Sequence, residues 1–485
     1  MMHLLYVLSV FSKILLKVIM NKKDNSEDKR WEGHPAEDYR GLTMYQVMVG
    51  SFIHSENGAE GYNDMWGPDN ETKDGNLQGV IEALPHIKSL GANAVWLTPI
   101  FDSSGAEGGE KLQASGYFAK NYFAIDPHFG TEDDLHELVD KAHEMGMYVF
   151  LDGVFGHHGG VDKLSPEGHC IDSTSTKNER DEEGNVKYPE SLEYFKEVAT
   201  YWIDKFEIDG WRLDQAYQLC QNGHNYWCDI RKAVQDICDR RRSEGKIWGV
   251  LGYMVGEDWS DAGGISGRVY RDGGLVSAFD FDGKELISGP MSDLSTGGLQ
   301  NGWDDVIKIY SKPTARGYCS DDVLPNLFLS NHDGFRLADH FYDAENEINI
   351  MTRYAILAGY PGPVTMYYGD EFGDLSRDVE GAQPDNAART SGHLIADDER
   401  SAHLYNYVAK VINFRKDNPA MWRGNQEFNR YKNGETEVLV VTKTDPDSDN
   451  KVVMIFADKD TTEIVPGVPY PVEVRGYVPE LIKIN

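Results

Sequence analysis

From about residue 42 to 410 the chain alternates short, solidly apolar runs with longer stretches of helical periodicity. That alternation signals parallel β/α architecture. Eight runs read as strands, at 44–49, 94–97, 148–151, 210–213, 254–256, 277–280, 327–329 and 364–367. Helical periodicity covers 77–90, 131–145, 191–206, 226–243, 304–310, 347–358 and 400–416. Gly91 and Gly146 follow the first two helices, where a left-handed C-terminal residue is expected. Thr131 with acidic residues behind it suits an N-cap. Eight strand–helix units over this length predict an α/β fold, a (β/α)8 TIM barrel, with its active site at the C-terminal strand ends.

Two regions leave this rhythm. Residues 158–189, after strand 3, are polar, rich in Gly and charge, and weakly periodic. They are expected to form a loop subdomain over the barrel mouth. Beyond about 418 the pattern becomes short alternating runs at 437–443, 451–457 and 471–476, separated by turn-forming segments such as DPDSDN. This predicts a C-terminal all-β domain of sandwich type. The division is therefore an N-terminal extension over 1–41, a barrel over 42–417 with 158–189 inserted, and a β-domain over 418–485.

Composition narrows the partners. With Lys+Arg 47 and Asp+Glu 80 the formal charge is −33, which repels phosphate backbones and argues against a nucleic-acid partner. The hydrophobic fraction of 40% supplies a sizeable core. The five cysteines are odd in number and include no CxxC pair, which reads as free thiols in a reduced, cytoplasmic compartment. Residues 4–20 are apolar but interrupted by Lys13 and Lys17, so no stable membrane insertion is expected. Read as a signal peptide, the same stretch would make the protein secreted, although it lacks a basic start and a clear cleavage site.

Three acidic segments carry the chemistry. Asp214 in DGWRLD, Glu257 in VGEDW and Asp333 in SNHD each follow a predicted strand end. Barrel closure would bring these distant carboxylates to one rim. A pair of carboxylates about 5–5.5 Å apart is what a retaining glycosidase needs, one as nucleophile and one as acid/base. Arg212 shares a strand face with Asp214, and a guanidinium there keeps a carboxylate ionised. The same R-x-D also reads as an ordinary buried ion pair. Beside Glu257, an apolar wall and a neighbouring negative charge would raise its pKa toward that of a general acid. Asp333, with His332 before it and Arg336 after it, is placed to grip sugar hydroxyls, although NHD is equally a turn sequence. His157 and His158 raise the question of a metal, but no third ligand appears at useful spacing, so no metal is expected. Asp152, on the strand before His157, is expected to pair with buried polar groups such as Arg212. Tyr117, in a loop after strand 2, is a candidate to stack on a sugar face.

Together these segments resemble the α-amylase superfamily of glycoside hydrolases (glycoside hydrolase family 13). MYQVMVGSF looks like its first strand, and GYFAKNYFAIDPHFGT like the stretch bearing its stacking tyrosine. LDGVFGHHG, DGWRLD, VGEDW and LFLSNHD look like its four signature segments, in order, and GPVTMYYGDEFG like its eighth strand. The resemblance implies that Asp214 is the nucleophile, Glu257 the general acid/base and Asp333 the transition-state stabiliser. It implies that Arg212 orients Asp214, that His157 and His332 bind hydroxyls at the cleaved sugar, and that Tyr117 stacks on it.

The chain also departs from that pattern. Gly156 stands where many members have a calcium-binding Asn, and Gln218 where many amylases have His. Both count against the family's structural calcium, so no cofactor is expected. Tyr217 stands where a Lys often contacts the leaving sugar, and Gln215 follows the nucleophile in place of a smaller or branched residue. The expected function is a retaining α-glycoside hydrolase acting on α-glucans or malto-oligosaccharides. An α-glucan transglycosylase or sugar phosphorylase would share the covalent intermediate, and a non-catalytic sugar-binding protein would share the barrel.

Overall fold

In each barrel strand alternate side chains face inward, and here the inward set is apolar below and polar above. In the computed structural model, which describes residues 38–484 except 63–73, 107–109, 162, 175–185, 295, 342–345 and 378–386, the strands are β1 (Thr43–Val47), β2 (Ala94–Leu97), β3 (Tyr148–Gly153), β4 (Gly210–Leu213), β5 (Tyr253–Gly256), β6 (Ser277–Phe279), β7 (Leu324–Phe328) and β8 (Val364–Tyr367). Each pairs in parallel with its sequence neighbours, and β8 closes on β1 through Thr43↔Val364 and the three pairs beyond it. Met44, Trp96, Phe150, Tyr253, Val255, Phe279 and Phe328 fill the interior. Above them the inward positions turn polar at Gln46, Asp152 and Arg212, all buried. This change from apolar to polar along the barrel axis is what puts chemistry at the upper rim.

Helices cover the outside, among them α1 (Leu77–Ser89), α2 (Glu132–Glu144), α3 (Leu192–Phe206) and α4 (Trp227–Ser243). α2 starts at the expected cap: the Thr131 side chain accepts from the Asp134 amide, and Asp134 accepts from the Thr131 amide. Gly91 and Gly146 adopt φ of 96° and 74°, a region costly for any residue with a Cβ.

Several bounds shift for physical reasons. β7 begins at Leu324 rather than 327, because Pro325 and Asn326 interrupt its apolar run. The extension ends earlier than residue 41: Tyr39–Gly41 forms a 3-10 turn, with the Tyr39 hydroxyl donating to Leu251 O at 3.0 Å and its ring 5.1 Å from Tyr253. The apolar stretch at 4–20 lies outside the described residues. Between β2 and α2 a hairpin, Phe101–Asp102 against Asn121–Ile125, carries Tyr117 toward the mouth; it was not expected. Of the loop region 158–189, the described part contains an isolated bridge, Ser173↔Val186.

The C-terminal part is all β. A four-stranded antiparallel sheet joins Asn425–Asn433, Thr436–Thr444, Lys451–Ala457 and Glu480–Ile484, and a two-stranded one joins Thr461–Glu463 and Val472–Val474. Val438, Val440, Val453, Ile455, Val472 and Val474 pack between them. The sheet docks on the barrel through polar and apolar contacts: the Trp303 indole donates to Glu437 O at 3.2 Å, the buried Lys443 ammonium donates to Gly359 O at 2.5 Å, and the Trp303 ring lies 5.6 Å from that of Phe456.

Candidate active site

The ends of β4 and β5 are locked by backbone bonds that continue the barrel ladder past the strands. The Asp214 amide donates to Gly153 O at 3.0 Å and the Glu257 amide to Leu213 O at 2.8 Å. These two side chains are thus aimed by a neighbouring strand, whereas the Asp333 amide donates to Asn331 Oδ1 in its own turn at 2.9 Å. Asp214, Glu257 and Asp333 all line one open cavity of about 980 Å³, together with Tyr117, His157, Tyr217 and His332.

Arg212 lies beneath this cavity and organises it. Its Nη1 is 2.8 Å from Asp152 Oδ1 and 3.0 Å from Asp214 Oδ1, and its Nη2 is 3.3 Å from Glu257 Oε2. Its guanidinium carbon sits 5.1 Å from the centre of the Trp96 ring and 5.7 Å from that of Tyr117. A planar, permanently charged fork suits such sharing, which a lysine could not reproduce. One cation thus serves three carboxylates. Asp214 Oδ2 is buried, accepts no hydrogen bond, and has His157 Nδ1 at 3.9 Å. An oxygen held by its partner carboxylate atom yet left unbonded is available to attack.

Glu257 is in a different electrostatic state. Burial, helped by the negative charges of Asp214 and Asp333, pushes its carboxyl up to about 8, against the pull of Arg212. Its Oε2 accepts from the Gln215 amide at 2.9 Å. Gln215 reaches that position with a left-handed φ of 40°. Burial is the main cause of the Glu257 shift. Trp259, the apolar neighbour, is about half exposed and stacks on Phe281 at 5.7 Å.

At Asp333 burial raises the carboxyl, but His332, Arg389 and Arg212 outweigh it and hold it below its ordinary value. Burial keeps His332 neutral, at about 3, so the full charges acting on Asp333 are those of Arg389, whose Nη2 is 2.8 Å from Asp333 Oδ1, and of Arg212. The neutral ring has a definable tautomer. Gln46 Nε2, a donor, lies 2.7 Å from His332 Nδ1, which leaves the proton on Nε2. That Nε2 is 2.7 Å from the Tyr117 hydroxyl, which in turn donates to Asp152 Oδ2 at 2.8 Å. The Tyr117 and His332 rings stack at 5.4 Å with 8° between planes.

Three of the predicted substrate-binding residues, Arg336, Asp152 and Arg212, do not line the cavity. Arg336 does not line the cavity: it is buried behind β8, donating to Tyr368 O at 2.6 Å and Thr390 Oγ1 at 2.8 Å, over the ring of Tyr367 at 4.7 Å. The turn Leu337–His340 that follows β7 carries it away from the mouth. Asp152 is also fully buried, bound by Arg212, Tyr117 and the Trp96 indole, and supports the site from below. Arg212 itself acts from beneath, whereas Tyr217 does line the cavity, its hydroxyl donating to Gln215 Oε1 at 2.7 Å.

Sequence reasoning missed Arg389, Arg268 and the lining role of Asp258. Arg268 pairs with Asp258 at 2.9 Å through Nε and lies 5.8 Å from the Tyr217 ring, so the three form one wall. Nothing in AART or GRVY marks these arginines as pocket residues.

The family's calcium positions do not form an oxygen cage here. A Cβ added at Gly156 would lie 1.8 Å from Gln218 Oε1, so the glutamine side chain fills the space an asparagine would use. That same oxygen faces His157 Nδ1 at 3.4 Å. His158 is engaged separately, with Ser173 Oγ at 3.0 Å. The residues present do not fit the ion.

Comparison with known proteins agrees with this geometry. The sequence profile of the alpha amylase catalytic domain matches residues 46–182 and 175–405. A cyclomaltodextrinase of Geobacillus thermopakistaniensis (strain MAS1) is 28% identical over 440 residues, covering 85% of this chain and 67% of that protein. A maltogenic alpha-amylase of Bacillus acidopullulyticus is 26% identical over 418 residues, covering 80% of this chain and 64% of its own length. The chain thus spans about two thirds of these relatives. Among solved structures, AmyP in complex with maltose superposes with a TM-score of 0.75 at 32% identity, covering 93% of this chain and 98% of that one. Fold and rim chemistry define a glycoside-hydrolase barrel. The chain belongs to the alpha-amylase family.

Proposed function

We propose that the protein is a retaining α-glycoside hydrolase acting on malto-oligosaccharides, with Asp214 as nucleophile, Glu257 as acid/base and Asp333 as stabiliser of the positively charged sugar. The observation that carries this reading is the unequal treatment of two carboxylates by one arginine. Asp214 keeps a short bond to Arg212, while Glu257 is buried and pushed up to about 8. A carboxyl raised by burial beside a second carboxylate ion-paired to Arg212 supplies the acid and the nucleophile that retention requires.

The Glu257 proton passes to the bridging oxygen as the sugar–oxygen bond breaks. Asp214 Oδ2 attacks the anomeric carbon and forms a glycosyl ester. The carboxylate left at Glu257 then takes a proton from water, which opens the ester and restores both groups. Asp333 and Asp214 bracket the positive charge that develops on the ring, and His157 and His332, which line the cavity, face the same sugar's hydroxyls. Similarity to AmyP, which is seen in complex with maltose, and to a cyclomaltodextrinase supports the substrate class. No helix among the described residues is long and apolar enough to cross a membrane. We propose catalysis without calcium at Gly156 and Gln218.

Incubation with a malto-oligosaccharide series and isomaltose, with and without phosphate, tests the reading. Release of reducing sugars in the α-configuration supports it. Phosphorylated or transferred products in place of reducing ends would favour the transferase reading, and binding without turnover the non-catalytic one.

A further inference from the structure

After β4 the chain folds back as a short hairpin, Cys220–Gln221 against His224–Asn225, before entering α4 at Trp227. At its tip three side chains of different chemistry converge. His224 Nε2 lies 3.0 Å from Asp229 Oδ2, and Cys228 Sγ lies 3.4 Å from that oxygen and 3.7 Å from that nitrogen. Among the described residues two groups of three bring such donors within 4.8 Å, and only this one contains sulfur; the other is Glu167, His169 and Glu197.

The spacing is that of a coordination polyhedron. A tetrahedral zinc ion with bonds of about 2.3 Å to sulfur and about 2.0–2.2 Å to nitrogen and oxygen needs donor separations of about 3.3–3.6 Å. The three observed separations fall on or close to those edges without any rearrangement. A thiolate, a carboxylate and a neutral imidazole also balance the charge of a divalent cation. The His224 and Asp229 side chains are 48% and 37% exposed, which leaves the fourth position to water.

We propose that His224, Cys228 and Asp229 form a zinc site that fastens the hairpin to the first turn of α4. The fastening matters to the cavity. Asn225, inside the hairpin, donates to Arg268 O at 2.9 Å, Val269 O at 3.1 Å and Arg271 O at 2.8 Å. It therefore straps down the segment that presents Arg268 to the cavity wall. The zinc takes no part in bond cleavage and stands independently of the hydrolytic reading.

The test uses the full chain, stripped with a chelator and titrated with zinc in a calorimeter, and with cobalt(II) in a spectrophotometer. Wild type is expected to bind zinc, and its cobalt form to show a thiolate-to-metal charge-transfer band with tetrahedral ligand-field bands. Cys228→Ser should abolish that charge-transfer band and weaken zinc at least about 100-fold, since even outer-shell changes cost about 10–100-fold. His224→Ala should weaken it similarly, and Cys170→Ser, at an exposed thiol elsewhere, should change nothing. A wild type that takes up no zinc, a charge-transfer band surviving in Cys228→Ser, or wild-type zinc affinity retained in Cys228→Ser and His224→Ala overturns the site and leaves a plain ion pair with a neighbouring thiol.

Discussion

Arg389 Nη2 lies 2.8 Å from Asp333 Oδ1, which makes a residue beyond β8 the direct charge partner of a carboxylate beyond β7. Its Nε also donates to His332 O at 3.2 Å, so one side chain holds both the charge and the backbone of that segment. Removing it leaves a buried carboxylate with less compensation, and its proton affinity must rise. Arg389→Ala is therefore expected to lower kcat/KM by about 10²–10³-fold, the scale of losing one charge-stabilising group. It should also shift the acid limb of the pH profile upward. A pH–rate series on malto-oligosaccharide checks both, and an unmoved acid limb would separate Arg389 from Asp333.

Glu257 yields a prediction with opposite signs for activity and stability. Its folded pKa is raised, mainly by burial, from 4.5 to about 8. A group raised in this direction stabilises the fold fully below its unfolded value, and that stability is lost as pH climbs through the folded value. Above about pH 8 the fold carries a buried charge at a cost. Glu257→Gln keeps the shape and can still accept from the Gln215 amide. It should match wild type in thermal midpoint near pH 4.5 and exceed it above about pH 8, while turnover falls by about 10²–10⁴-fold. In wild type, kcat/KM should fall along an alkaline limb centred near the same pH. Melting curves across pH and a rate profile read the two halves independently.

Asp214→Asn removes the attacking oxygen's charge and leaves the scaffold. Arg212 retains Asp152 at 2.8 Å and Glu257 at 3.3 Å, so the guanidinium stays in place. Turnover should fall at least about 10⁴-fold, in the range seen when a nucleophile is lost. Maltose binding should persist within about 10-fold, because a neutral amide of the same shape still accepts from Arg212. Calorimetry with maltose and an initial-rate assay decide this; a wild-type rate would take Asp214 out of the mechanism.

How much of this was legible in the sequence depended on which force shaped each segment. The barrel strands are buried on both faces, so hydrophobicity alone exposed them; β2, β4 and β8 were read to the residue. The strand Asn425–Asn433 was not, because NQEFNRYKN lies on the sheet edge, mostly exposed, where no apolar pattern is required. Its trace is Asn433-Gly434 ahead of an apolar run, a hairpin signal. The carboxylates were found because they follow strand ends, where barrel geometry dictates convergence. Their partners were harder. Arg336, three residues from Asp333, reads from the sequence as a pocket residue, yet Arg389, 56 residues away, is the one that arrives. Proximity along the chain is a poor guide once a turn intervenes, and loop arginines carry no periodicity.

The packing of Gln218 against Gly156 makes the proposed independence of calcium testable in two ways. Gln218 Cβ lies 2.6 Å from where a Cβ at position 156 would stand, and its Oε1 1.8 Å away, so Gly156→Ala must displace the glutamine. The expected destabilisation is about 1–3 kcal/mol, the usual cost of overpacking. Gln218→Ala removes the obstructing atoms beyond its own Cβ and should recover part of that loss in the double variant, a coupling that a thermodynamic cycle measures directly. Independent effects of the two changes would mean that the side chains do not share this space. If these positions hold no ion, turnover should continue in a chelator at wild-type rate, and added calcium should not raise it. Loss of turnover on chelation, reversed by calcium but not by zinc, would place a calcium ion in the site after all and show that Gln218 moves aside to admit it.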